Sequence, residues 1–274
     1  MVSALLFKKI DWLLVSFLIP IVLGGLFTMK SFVPEADQVD FFSRQLIWII
    51  ISFIVFFILS FLDFRFFKNT NFLAILFLFF SGVLLILFVV GHVSHGAKSW
   101  FDLGLFSFQP VDIMKLIVVL ILAKYFSRRH VEIHNVKHIF ISALYALFPF
   151  MLVFLQPDFG SAIIIFMIWF GMAVVSGISK KHLFFVALSG LCAFLVLWFF
   201  VFAPYQKARV LNFLNPMTNI HGSGYNALQS TIAVGSGQVL GKGLGFGTQS
   251  RLKFLPEYQT DFIFAAFTEE WGFI

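Results

Sequence analysis

The sequence predicts an all-α, polytopic integral membrane protein, a helical bundle with seven full spans and a partial eighth. Hydrophobic residues make up 60% of the chain and charged residues only 12%, whereas soluble domains are typically about 45–50% apolar and about 25% charged. The mean hydropathy is +0.98. Apolar runs close to the roughly 20 residues that cross a bilayer recur along the chain. These properties exclude a soluble globular domain.

The predicted spans follow the apolar runs in chain order. They lie at residues 12–29, 45–62, 72–91, 110–126, 139–156, 160–177 and 183–203. An eighth run extends only from Asp261 to Ile274, about 20 Å of helix against a hydrocarbon core of about 30 Å. We therefore expect residues 1–274 to form a single transmembrane domain that is incomplete at its C-terminal end.

Lysine and arginine concentrate before the first span and in alternate loops, which predicts the orientation of the chain. These residues are Lys8, Lys9, Arg65, Lys68, Lys124, Arg128, Arg129, Lys137, Lys180 and Lys181. Basic loops stay in the cytoplasm, so the N-terminus is predicted to be cytoplasmic and the long segment 204–259 extracytoplasmic. The net charge of +6 is thereby explained without a nucleic-acid partner.

The outer segment 96–115 mixes aromatic and polar residues and leads into the fourth span. Aromatic rings settle at the membrane interface, and Pro110 is typical of the first turn of a helix. Asp112 and Lys115 stand three residues apart on one helical face, so they are expected to pair. The pair is either a local contact at a helix start or part of a polar cluster facing a cavity, since ionisable groups in spans seldom face lipid.

Two further aspartates stand at the predicted outer ends of spans. Asp158 lies in the tight turn QPDFG, and Asp261 lies where the loop LPEYQT becomes apolar. Aspartate is a preferred helix N-cap, and a carboxylate in the first turn is kept ionised by the helix dipole. Both residues are therefore candidates for capping or for chemistry. Asp112 also lies at the outer end of a span, so all three carboxylates are predicted to lie at a similar depth in the membrane. We therefore expect them to share an outer cavity.

The outer segment 222–257 is dense in glycine. Its GSGQVLGKG stretch has the wrong spacing for a nucleotide-binding P-loop, and Gly243 stands where Ser or Thr is required. Glycine-rich backbone and basic side chains bind anions, so the segment is either a site for a phosphate-bearing substrate or a flexible loop with solvated charges. The basic residues of the segment are Lys242, Arg251 and Lys253, and Arg209 lies in the outer stretch RVLNFLNP just before it.

Two other groups of ionisable residues are interpreted as structural. His130, His134 and His138 are spaced by four, as metal ligands on a helix would be, but they lie in a basic loop without a cage of carboxylates. Glu269 and Glu270 lie inside the eighth apolar run and must face a polar interior or be neutral. We interpret them as stabilising helix packing.

Together these motifs resemble the SEDS family (shape, elongation, division and sporulation) of RodA/FtsW peptidoglycan glycosyltransferases, almost end to end. The motifs are GAKSW, QPVDIMK, QPDFG, NFLNP, GSGYNALQS, LPEYQTDFIFA and EEWGF. The stretch GKGLGFGTQSRLKFLPE is more similar to the RodA branch, which acts in elongation and cell shape, than to the FtsW branch of cell division. Members usually have ten spans, and most have Glu where this chain has Asp112.

The resemblance implies polymerisation of lipid II, a disaccharide-pentapeptide on undecaprenyl pyrophosphate, on the outer face of the cytoplasmic membrane. The essential aspartate of the family maps onto Asp261. A substrate-binding cavity is implied at Lys115, Asp112, Asp158, Arg209, Gln109 and Lys98. No cofactor and no protein metal site are implied, and a divalent cation (Mg²⁺ or Mn²⁺) stays open. The implied partners are lipid II, membrane lipids and a class B penicillin-binding protein that acts as transpeptidase.

Two other functions stay open on the sequence. Many apolar spans with buried charges also suit a flippase for lipid-linked precursors. Transporters, however, usually carry their polar groups at the bilayer midplane, whereas the polar groups of this chain lie at the outer boundary of the predicted spans. A non-catalytic scaffold for a transpeptidase is the other alternative.

Overall fold

The structure is a computed structural model, and it describes residues 10–32, 40–90, 92–94, 97–102, 107–129, 135–215 and 224–273. The chain divides into two compact units. The central unit is Asp63–Val196, and the terminal unit combines the residues up to Leu62 with those from Leu197 onward. The prediction of one transmembrane domain stays a prediction.

The elements are numbered in chain order. The helices are α1 (Trp12–Ser31), α2 (Phe41–Phe61), α3 (Thr70–Val90), α4 (Pro110–Arg129), α5 (Val136–Leu155), α6 (Phe159–Val175), α7 (Lys180–Val196), α8 (Pro204–Leu214), α9 (Tyr225–Gly237), α10 (Thr248–Arg251) and α11 (Ile263–Trp271). A 3₁₀ turn (Phe64–Lys68) precedes α3, and a π-helical turn (Leu197–Val201) continues α7. The strands are β1 (His92–Ser94), β2 (Ala97–Asp102) and β3 (Ser107–Phe108).

Every predicted span coincides with a helix from α1 to α7, so the helical fold class is confirmed. Within the described ranges, α1, α2, most of α3, α5 and α7 with its π-helical turn are long and apolar enough to cross a membrane. Helices α4 and α6 are not in this group. Helix α4 carries charged residues at both ends, and α6 has only 17 residues. The chain is a multi-pass membrane protein.

The regions between the spans hold more structure than expected. The segment predicted as an interfacial loop forms a small antiparallel sheet in the order β1-β2-β3, in which His92 pairs with Trp100 and Phe101 with Phe108. Such pairing satisfies backbone N–H and C=O groups beside the membrane. The long segment 204–259 contains α8, α9 and α10.

Polar residues ahead of the apolar runs start several helices. The carboxylate of Asp40 accepts the backbone N–H groups of Phe42 at 3.1 Å and Ser43 at 3.3 Å, which caps α2. The Ser43 hydroxyl also donates to Asp40 and lowers the pKa of this carboxyl. Asp11 and Asn135 cap α1 and α5 in the same way. Each cap satisfies backbone donors that a helix start leaves unpaired.

The central unit is built around α4, whose apolar face is buried by α3, α5 and α6. The fully buried apolar side chains of this core include Leu84, Met114, Leu122, Val153, Ala162 and Ile165. Buried side-chain hydrogen bonds also connect its helices. Trp169 Nε1 donates to Ser142 Oγ at 3.1 Å, and Gln156 Nε2 donates to the carbonyl of Leu84 at 2.7 Å. Both bonds are buried, where loss of one partner is costly.

The core of the terminal unit surrounds α11. Its buried apolar residues are Phe32, Ala233, Leu255, Tyr258, Ala265 and Ala266. Helix α9 approaches α11 closely at Gly237, where an added Cβ would collide with the carbonyl of Thr268. Glycine is required there because two backbones meet.

Candidate functional site

Asp261 precedes α11 and does not cap it. The helix begins at Ile263, Phe262 occupies the N-cap position, and no side chain caps the helix. The side chain of Asp261 is exposed. Thr260 donates instead to Glu257 Oε2 at 3.1 Å. The capping alternative is therefore not supported for Asp261, and its carboxylate is accessible to a substrate.

The loop before Asp261 is held by buried side chains. Leu255 is fully buried, and Tyr258 packs edge-on against Phe32 with 4.6 Å between ring centroids. Burial raises the pKa of the Tyr258 hydroxyl. The N–H of Phe262 donates to the carbonyl of Glu257 at 3.1 Å. An exposed carboxylate is thus attached to a fixed backbone.

Glu269 anchors the glycine-rich segment onto α11. Its side chain is fully buried, and Oε1 accepts from Lys242 Nζ at 2.8 Å, Thr248 Oγ1 at 3.1 Å and the N–H of Gln249 at 3.1 Å. The N–H of Lys242 also donates to the Glu269 carbonyl at 3.0 Å. A buried carboxylate with a cationic partner and several donors is well satisfied.

Glu270 makes a second set of contacts beside this anchor. Its Oε1 accepts from Ser31 Oγ at 2.6 Å and from the N–H of Gly245 at 3.0 Å. Gly241 has φ +74°, and an added Cβ would strike the Glu270 carbonyl. The packing interpretation of both glutamates therefore agrees with the structure.

These contacts change the interpretation of the glycine-rich segment. Lys242, one of its candidate phosphate ligands, is paired with Glu269. The segment also folds along α11, which does not fit a freely flexible loop. Arg209 lies on the exposed side of α8, and Arg251 and Lys253 are exposed as well. The sequence signal for the anchor was a pair of glutamates in an apolar run, which had to face a polar interior or be neutral.

The predicted pair in α4 is present in the central unit. Lys115 Nζ lies 2.8 Å from Asp112 Oδ1, and the two side chains are 16% and 61% exposed respectively. The carboxylate of Asp112 is mostly in solvent, which weakens its attraction for the more buried ammonium group of Lys115.

Asp158 caps a helix, one of the two roles that the sequence left open for it, and also contacts Gln109. Its Oδ1 accepts the N–H of Ser161 at 3.0 Å and caps α6, while Oδ2 accepts Gln109 Nε2 at 3.2 Å. Asp158 and Gln109, two members of the predicted cavity, are thus in contact. Lys98 belongs to β2, but its side chain lies outside the described residues.

The described histidines and carboxylates are not arranged as a metal site. His138 is buried and lies 2.9 Å from the hydroxyl of Tyr125 through Nδ1, whereas His130 and His134 lie outside the described residues. In the part of the chain that is described, no three His, Cys, Asp or Glu side chains are grouped as metal ligands. These residues alone do not form a cage for Mg²⁺ or Mn²⁺.

Comparison with known proteins agrees with the motifs. A model of the cell cycle protein family FtsW/RodA/SpoVE matches residues 8–274. The peptidoglycan glycosyltransferase MrdB of Escherichia coli (strain K12) is 42% identical over 185 residues, which are 67% of this chain and 50% of MrdB. Stage V sporulation protein E of Bacillus subtilis (strain 168) is 38% identical over 241 residues, which are 87% of this chain and 64% of that protein.

The fold has a solved counterpart. A chain in the structure titled "Structural coordination of polymerization and crosslinking by a peptidoglycan synthase complex" superposes with a TM-score of 0.72 at 29% identity, over 97% of this chain and 72% of that one. The present chain spans about half to two thirds of the length of the two relatives above. Since the family model covers nearly every residue, the chain belongs to the FtsW/RodA/SpoVE family of cell cycle proteins.

Proposed function

We propose that the protein is a peptidoglycan glycosyltransferase that polymerises lipid II during cell elongation and maintenance of cell shape. The observation that carries the proposal is Asp261, an exposed carboxylate that does not cap the helix it precedes. The relative MrdB, which bears the name of this activity, supports the reaction class. The resemblance of residues 241–257 to the RodA branch supports a role in elongation.

In the proposed reaction, Asp261 accepts the proton of the acceptor sugar's 4-hydroxyl. The oxygen then attacks the anomeric carbon of the donor, the bond to undecaprenyl pyrophosphate breaks, and inversion of the α-linked donor forms a β-1,4 bond. A general base typically contributes about 10²–10⁴-fold to the rate. Exposure allows this carboxylate to reach an acceptor that arrives from outside the protein.

The remaining predicted site residues are assigned to substrate binding. Lys115 and Arg209 would offset the charge of the departing pyrophosphate, a role that cationic groups commonly have in such transfers. Asp112 would release Lys115 for this purpose, because water can solvate its exposed carboxylate. Asp158 and Gln109 are proposed to hydrogen-bond to the sugar, and Lys98 to donate to its phosphates.

The cellular setting is also part of the proposal. The protein would lie in the cytoplasmic membrane with its N-terminus in the cytoplasm and segment 204–259 outside, as the basic loops predict. A class B penicillin-binding protein is the proposed partner. The structural counterpart comes from a peptidoglycan synthase complex, which supports a partner of this kind.

Reconstitution into vesicles tests the proposal. The protein and a class B penicillin-binding protein are supplied with fluorescent lipid II, and glycan strands and lipid II translocation are measured separately. We expect strands from the unchanged protein and a loss of at least about 10²-fold with Asp261→Asn. Glu257→Gln, an exposed change four residues away, is the matched control and should keep the rate.

The same measurement separates the alternatives. Translocation of lipid II without strands would favour the flippase. Strand synthesis at an unchanged rate by the Asp261→Asn protein would refute the role of base, and absence of both activities from the unchanged protein would favour the scaffold.

A further inference from the structure

A cavity of about 480 Å³ lies in the central unit between α3, α4 and α5. Its walls along α3 are apolar and include Leu73, Ala74 and Phe77. Two cationic residues of α4, Lys124 and Arg128, line one end. The volume falls within the roughly 300–1,000 Å³ of ligand pockets. The cavity therefore has an apolar part and a cationic end.

The cavity opens at the lateral surface of the helices, which in a membrane protein faces lipid. Leu78 and Tyr145 belong to its lining and are 67% and 40% exposed. Apolar surface is unfavourable in water but not in hydrocarbon. An apolar cavity that opens toward the bilayer is therefore expected to hold lipid chains. The shape of the cavity thus admits an acyl chain from the bilayer.

The charge at the cationic end is not balanced by the residues that line the cavity. None of the described lining residues is Asp or Glu. Lys124 Nζ donates to the carbonyl of Lys68, just before α3, and Thr70 at the start of α3 belongs to the same lining. The beginning of a helix adds partial positive charge. The site therefore favours an anionic group.

We propose that this cavity binds one anionic glycerophospholipid of the phosphatidylglycerol type. Its phosphate lies at Lys124 and Arg128, and an acyl chain lies along Leu73 and Phe77 of α3. Basic pockets between membrane helices on the cytoplasmic side bind anionic headgroups, and the basic loops predict that this end of α4 faces the cytoplasm. The proposal is independent of glycan synthesis.

Native mass spectrometry of the full chain measures this binding. The delipidated protein in neutral detergent is titrated with phosphatidylglycerol or with phosphatidylcholine of the same acyl chains. We expect one phosphatidylglycerol to be retained in preference to phosphatidylcholine. Arg128→Gln should weaken its binding about fivefold, the loss of one membrane-surface charge. Lys181→Gln removes a cation outside the cavity and should leave that binding unchanged.

A steric variant tests the cavity with its charges intact. Ala74→Phe, at an exposed position of α3 that lines the cavity, should abolish preferential retention while the helical circular dichroism stays that of the unchanged protein. Equal retention of the two lipids, or equal losses in Arg128→Gln and Lys181→Gln, would overturn the proposal in favour of nonspecific surface charge. Undiminished binding in a folded Ala74→Phe protein would overturn it as well.

Discussion

Replacing Glu269 by glutamine removes the charge that holds the glycine-rich segment onto α11. The change keeps the size of the side chain but ends the charge-assisted bond from Lys242 Nζ, now 2.8 Å long. It also places an amide among the donors of Thr248 and Gln249. We expect the segment to open more readily while α11 keeps its apolar contacts.

The size of the effect follows from burial. Glu269 is fully buried, but Lys242 keeps 28% of its side-chain exposure, so water can partly solvate the ammonium group once its partner is neutral. Breaking a fully buried pair costs about 3–5 kcal/mol, and a hydrogen bond to a charged group contributes about 1.5–3 kcal/mol. We therefore expect local stability to fall by about 3 kcal/mol. At 1.4 kcal/mol per tenfold, this is about a hundredfold.

Hydrogen exchange measured by mass spectrometry reads this local opening directly. Peptides from residues 242–251 should exchange about a hundredfold faster in the Glu269→Gln protein, whereas those from α4 should not change. Glu257→Gln is the matched control, because this glutamate is exposed and its carboxylate accepts a hydrogen bond from the Thr260 hydroxyl. An exposed change of this kind is expected within about 0.5 kcal/mol.

Two results would refute the reasoning. Unchanged exchange in residues 242–251 of the Glu269→Gln protein would mean that the carboxylate does not hold the segment. An equal acceleration by Glu257→Gln would mean that any loss of negative charge in this loop opens it. Either result would leave the glycines, rather than the ion pair, as the basis of this packing.

The remaining predictions concern backbone approach, a buried amide and pH. Gly237→Ala should lower the apparent Tm strongly, because the added Cβ collides with the backbone of α11. Gly235→Ala is the control and should leave the Tm unchanged, because an added Cβ there meets no described atom within 4 Å. Gln156→Ala removes the buried hydrogen bond from this amide to the Leu84 carbonyl of α3 and should cost about 0.5–1.5 kcal/mol in unfolding free energy. The pKa of Asp40 is lowered, chiefly by the Ser43 hydroxyl. Its contribution should therefore be complete above the ordinary aspartate pKa and lost as pH falls through the lower folded value. Comparison with Asp40→Asn over an acid titration checks this.

The sequence located the spans well because membrane crossing depends on the length of an apolar run. Their starts were less accurate. Helix α2 begins at Phe41 rather than at residue 45, and α5 begins at Val136 rather than at 139. Asp40 and Asn135 cap these helices upstream of the apolar runs, so the first turns include polar residues such as Arg44 and Lys137. Hydropathy alone does not detect such a turn.

Site contacts were predictable where they are local. Asp112 and Lys115 are three residues apart, and helix geometry alone brings them together. Glu269 and Lys242 are separated by 27 residues, and their pairing depends on the path of the glycine-rich segment over α11. Asp158 was assigned correctly to a helix start, but its bond to Gln109 spans 49 residues. Tertiary contacts of this range leave no periodic signal in a single sequence.

The two ends of α11 have different surroundings, and this difference bears on the proposed chemistry. Asp261 precedes the first turn and is exposed, whereas Glu269 lies in the last turn and is fully buried against the segment that it anchors. A base must meet its substrate, and it must also be held in place for proton transfer. Asp261→Asn should therefore abolish activity without increasing hydrogen exchange. Glu269→Gln should reduce activity only to the extent that it loosens the anchored segment. If Glu269→Gln abolished activity while hydrogen exchange stayed unchanged, the buried carboxylate would have a role beyond packing.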